Sequence, residues 1–97
     1  MTRKEKERII RQATGCMELL LQLAEECAEL CQAALKYRLV LADVDSALVV
    51  EEEGLANLKE EAADVSLLLD ILFSEEAKVE IEKRENFKLD RWIGGIK

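Results

Sequence analysis

Between Cys16 and Tyr37 the chain is so rich in apolar residues that its polar positions carry the pattern. Glu18, Gln22, Glu25, Glu29, Gln32 and Lys36 recur every three or four residues, the spacing that lines side chains along one face of an α-helix. The spacing predicts a helix from Cys16 to about Tyr37 with one polar stripe, and places Glu26 on the stripe's edge toward Ala33. A helix that is apolar over most of its remaining circumference is expected to lie among other helices, with its polar stripe facing an internal site. From about Leu55 to Phe73 the pattern changes. Leu55, Leu58, Ala62, Val65, Leu68, Leu69 and Leu72 form an apolar face opposite Lys59, Ser66 and Asp70, yet Glu61 falls inside that face and Asp64 on its flank. A carboxylate in such a position is costly to bury without a compensating charge or hydrogen bond.

The flanking segments complete the outline. Residues 2–14 predict a short charged helix with Ile9, Ile10 and Ala13 on its apolar side, and Gly15 permits a break before the main helix. Residues 38–48 contain Asp43, Asp45 and Ser46 and predict a connecting loop. The three glutamates at 51–53 suit the positive end of the following helix, while Gly54 weakens its first turn. Ser74 reads as an N-cap, with Glu75 and Glu76 in the first turn of a helix over about 75–92 that ends before Gly94-Gly95.

Composition narrows the fold class to all-α. The chain of 97 residues has no proline, and Ala, Leu, Glu and Lys dominate it. This length makes one domain, residues 1–97 with a core over about 16–92, in which oligomerisation is expected to supplement a modest core. A net charge of −7 argues against nucleic acid as a partner. No apolar run is long enough to cross a membrane and none resembles a signal peptide, so the expected location is cytoplasmic. Cys16, Cys27 and Cys31, an odd number in helical sequence, fit a reducing compartment and read as small buried apolar residues.

The candidate chemistry lies in two short segments, EECAE at 25–29 and EEAAD at 60–64. Glu26 with Glu29, and Glu61 with Asp64, are i,i+3 pairs, so each pair occupies one helix face. Packed together, the two faces bring four carboxylates into one space, which calls for a compensating cation. Oxygen ligands favour a hard divalent ion, magnesium first and manganese as its substitute. The absence of histidine argues against zinc and against the usual di-iron site.

The two segments, within QLAEECAELCQAALKY and NLKEEAADVSLLLDIL, resemble the MazG-like branch of the all-α nucleoside triphosphate pyrophosphohydrolases, whose motif is EExxE followed by ExxD. The resemblance covers about residues 16–92. It implies an antiparallel helical bundle completed as a homodimer or homotetramer, and magnesium-dependent cleavage of a nucleotide between its α- and β-phosphates to a monophosphate and pyrophosphate. Carried over by position, Glu26, Glu29, Glu61 and Asp64 would ligate the metal, and Glu25 would be a further ligand or the base acting on water. Lys83, Asn86 and Arg91, with Lys88 as a competitor for the cationic role, would bind the phosphates. Lys83 and Arg91 would also stabilise the leaving group. Two other readings stay open: a non-catalytic helical interaction module, and a related hydrolase of another pyrophosphate-containing compound.

Overall fold

The computed structural model describes residues 1–42 and 48–97. Four helices follow one another: α1 (Arg3–Thr14), α2 (Cys16–Ala42), α3 (Leu48–Leu72) and α4 (Glu75–Ile96), with no strand among the described residues. The expected turn residues Asp43, Asp45 and Ser46 lie outside the described residues.

Local signals set most of the helix ends. Thr2 caps α1 by accepting the amide of Glu5 at 3.1 Å, and Ser74 caps α4 by accepting the amide of Ala77 at 3.1 Å. Between α1 and α2 stands Gly15 at φ +85, a conformation that favours a residue without Cβ. Three boundaries differ from expectation. The α2 helix runs on to Ala42 because Leu39, Val40 and Leu41 contain no breaker. The α3 helix begins at Leu48 and accommodates Gly54 in its interior. The α4 helix continues through Gly94-Gly95 to Ile96.

The framework is the pairing of α2 with α3, which run antiparallel. At one end Leu19 packs with Leu68 and Ile71, backed by Leu23 and Leu72. At the other, Tyr37 lies against Gly54, where an added Cβ would stand 3.3 Å from the ring carbon Cδ1. The middle of the seam contains buried Ala33 and half-buried Leu58. The half-buried and buried positions of α3 run through Gly54, Leu58, Glu61, Val65, Leu68 and Leu72. The inward face is therefore rotated from the expected one: Ala62 and Leu69 are exposed, and Glu61 stands at the centre of the buried arc.

The short α1 packs on both long helices. The Arg11 guanidinium donates from Nε to the Ile71 carbonyl at 2.7 Å, satisfying one of the open carbonyls at the C-terminal end of α3. Glu7 is buried here, with Arg3 Nε 3.9 Å away. Asp70 accepts Arg3 Nη2 at 2.8 Å and faces Lys78 Nζ at 3.8 Å, which links α1, α3 and the first turn of α4. Beyond that turn α4 has no helix packed along it among the described residues, and Phe87, Trp92 and Ile96 are exposed. No helix of the described residues is long and apolar enough to cross a membrane.

Leu19, 1% exposed, is the deepest large side chain of the small core. Its replacement by alanine is expected to cost about 2–5 kcal/mol in urea denaturation, from lost burial and the cavity left against Leu68 and Ile71.

Candidate metal centre

Antiparallel pairing matches the EECAE turn of α2 to the EEAAD turn of α3. Glu26 and Glu29 project from one helix and Glu61 from the other, and one carboxylate oxygen from each lies within 4.8 Å of the others. Asp64 is near enough for its charge to act on both Glu26 and Glu61. The environments of the acids differ. Glu26, Glu61 and Asp64 are half-buried, whereas Glu29 and Glu25 are exposed. The polar stripe of α2 thus faces solvent along Glu18, Gln22, Glu25 and Glu29, and only Glu26 turns inward.

Of the three buried side-chain oxygens without a hydrogen-bond partner among the described residues, one belongs to Glu7 on α1 and two lie at this site. Glu26 Oε2 and Glu61 Oε2 are both buried without a hydrogen-bond partner. A buried carboxylate oxygen facing other carboxylates loses hydration and gains repulsion. Both acids are accordingly raised above their ordinary value of 4.5. For Glu26 burial is the main cause, followed by the charges of Glu29 and Asp64, then hydrogen bonding with Glu29 and the charge of Glu61. For Glu61 burial again leads, followed by hydrogen bonding with Glu29 and the charges of Glu29, Asp64 and Glu60. The donor set fits a hard divalent cation: oxygen ligands only, clustered at short range, with two oxygens that nothing else among the described residues satisfies.

The basic residues lie elsewhere. Lys83, Arg84, Phe87, Lys88 and Arg91 line one shallow groove made by α4 alone, and Trp92 adjoins Lys88 and Arg91. Arg84, absent from the expected set, belongs to this groove, and Asn86 does not. A helical wheel would have shown both, since Arg84, Lys88 and Arg91 follow at i, i+4 and i+7. Lys83 Nζ is 3.5 Å from Glu80 of its own helix. The chain does not bring Lys83, Asn86, Lys88 or Arg91 into the carboxylate cluster. The cysteines also depart from expectation: Cys16, Cys27 and Cys31 are all exposed.

The chain matches no protein-family model, no curated protein and no solved structure.

The raised acids predict a specific pH dependence. Below the ordinary carboxyl range Glu26 and Glu61 are protonated in both the folded and the unfolded chain. As pH rises through their folded values, ionisation favours the unfolded chain and their contribution to stability is lost. In urea denaturation with a chelator, Glu61→Gln is expected to be more stable than the natural chain at neutral pH, with the difference closing toward about pH 4. A difference that grew on acidification would contradict a raised Glu61.

Proposed function

We propose that the protein is a magnesium-dependent hydrolase that cuts a nucleoside triphosphate between its α- and β-phosphates, releasing a monophosphate and pyrophosphate. One observation carries this reading: the clustering of Glu26, Glu29 and Glu61 across the α2–α3 seam, with buried oxygens of Glu26 and Glu61 unpartnered. The spacing of the acids, and their resemblance to the EExxE and ExxD pattern of the MazG-like enzymes, supply the substrate class.

In this reading Glu26, Glu29 and Glu61 hold the cation, with Asp64 completing the set from the next turn of α3. Bound magnesium would acidify a coordinated water and neutralise phosphate charge. Glu25, exposed beside the cluster, is placed in sequence to accept a proton from the attacking water. The water oxygen bonds to the α-phosphorus as the bond from that phosphorus to its bridging oxygen breaks, and pyrophosphate leaves. Arg91 and Lys83 counter the charge on that leaving group, and Lys88 and Asn86 hold the phosphates. An arginine grips phosphate with two parallel hydrogen bonds where a lysine acts as a point charge. These groups come from α4, so the reading needs the basic side of an α4 helix to meet the carboxylates when substrate binds.

The second reading, a non-catalytic helical interaction module, draws on the exposed apolar side chains of α2 and α4. Both are addressed by incubating the protein with magnesium and a panel of nucleotides, including a phosphoribosyl nucleotide, while measuring monophosphate and pyrophosphate. The expected outcome is turnover of at least one compound, lost to background in Glu61→Gln and lowered about 10²–10³-fold in Arg91→Ala. Absence of turnover across the panel, with natural chain and Glu61→Gln indistinguishable, would leave the interaction module as the better account.

Magnesium should also act on stability. Titration into the natural chain is expected to raise its melting temperature and to do so much less in Glu29→Ala/Glu61→Ala, because binding to the folded state alone shifts unfolding. Equal shifts in the two proteins would place the cation elsewhere.

A further inference from the structure

The face of α1 that meets α3 carries Arg3, Glu7 and Arg11, four residues apart. The two outer members are matched: Arg3 donates to Asp70 and Arg11 to the Ile71 carbonyl. Glu7, between them, is not. It is 8% exposed, and its Oε2 is buried with no hydrogen-bond partner among the described residues. Arg3, one turn back, holds its Nε 3.9 Å from that oxygen while its Nη2 lies 2.8 Å from Asp70. A carboxylate oxygen taken from water without a donor at hydrogen-bond distance is costly.

Glu7 is also a wall of a cleft between α1 and α3, of about 320 Å³, whose other walls are Arg3, Lys6, Ile10 and Leu67. Ile10 and Leu67 are 40% and 41% exposed, so each helix presents an apolar surface there. Lys6 makes no ion pair among the described residues. Nor do Lys6 and Glu7 cancel each other, because neighbours in sequence project about 100° apart on a helix. The cleft therefore offers both signs of charge beside an apolar wall.

We propose that this cleft binds a small zwitterion, an α-amino acid with an aliphatic side chain. Glu7 accepts its ammonium group, Lys6 meets its carboxylate, and Ile10 and Leu67 hold its side chain. The wall composition excludes the simpler ligands. A plain anion would meet the Glu7 carboxylate, and a plain amine would meet Arg3 and Lys6. A divalent cation would find a single carboxylate between two basic side chains. Size acts in the same direction, since the cleft is at the lower end of the range of small-molecule sites, about 300–1,000 Å³.

Such a ligand touches both helices and so tightens α1 on α3. The inference goes beyond the hydrolase reading and does not depend on it, because no wall of the cleft belongs to the carboxylate cluster.

Calorimetric titration of the full chain, with chelator and without nucleotide, separates the two. L-leucine is expected to bind and to raise the melting temperature. Isopentylamine and 4-methylpentanoate, which each lack one of its charges, are expected to bind more weakly. Glu7→Gln keeps the shape of the side chain and is expected to lower leucine affinity about 10–100-fold. Leu67→Ala, at an exposed position, is expected to lower it about tenfold. Circular dichroism checks that both variants keep their helices. No binding of leucine, isoleucine or valine at millimolar concentration would overturn the site and leave the Glu7 oxygen to solvent alone. Equal binding of the two single-charge compounds, or leucine affinity unchanged in both variants, would overturn it as well.

Discussion

The repulsion among carboxylates trapped between α2 and α3 is the constraint to which the rest of the structure answers. Leu19, Leu68 and Ile71 close the seam at one end, and Tyr37 against Gly54 closes it at the other. Between them, Glu26 and Glu61 are forced inward by the same helical periodicity that brings the leucines together. Among the described residues neither acid has a cationic side chain paired with it, and each has a buried oxygen without a partner. Apolar contacts on both sides therefore hold together a centre that opposes its own assembly. A protein this small has little surplus stability to spend on such a centre. That imbalance is the physical reason for reading the cluster as a binding site rather than as part of the scaffold.

Around this pair the other helices act as accessories. The α1 helix braces the closed end, with Arg11 on the Ile71 carbonyl and Arg3 on Asp70. Exposed ion pairs of this kind contribute less than about 1 kcal/mol each. The partly buried Arg11 bond is the firmer link, because it satisfies a carbonyl that the helix end leaves open. The α4 helix is joined through Ser74 and through Lys78 facing Asp70, and beyond its first turn no other described helix packs along it; it carries a basic groove on a chain whose net charge is −7.

Much of this arrangement was legible in the sequence because it depends on local rules. Periodicity gave the helices, and Ser74, expected as a cap, acts within one turn of the residue it caps, while Thr2 caps α1 in the same way without having been singled out. Glu61 within the apolar positions of α3 was visible from spacing alone. What spacing could not supply was the rotation of α3 about its axis. The inward arc is centred on Glu61 because that orientation sets Gly54 against Tyr37 and Leu68 against Leu19, choices made by the partner helix. The cysteines were misjudged for a related reason. Their expected burial assumed that an apolar helix is enclosed by its own chain, whereas Cys27 and Cys31 lie on a side of α2 that no other described helix covers. Helix ends failed where no breaker was present, as at Leu39–Leu41, or where glycines were tolerated inside a helix, as at Gly94-Gly95.

The contact of Gly54 with the Tyr37 ring has a consequence for the carboxylates two helical turns away. Gly54 precedes Glu61 by seven residues, and Tyr37 follows Glu29 by eight. The missing methyl at 54 thus sets how closely the two long helices approach on that side, much as the jaw of a caliper sets its gap. A Cβ there would stand 3.3 Å from the ring, so the ring or the helix would have to give by a few tenths of an ångström, and where the ring is held the added atom acts as a wedge. Since the two helices are pinned by leucines at the far end, a wedge would open them like a pair of tongs. The separation of Glu26 and Glu29 from Glu61 would widen in step. The calibre of the acidic centre is therefore gauged by a glycine that carries no charge and touches none of its oxygens.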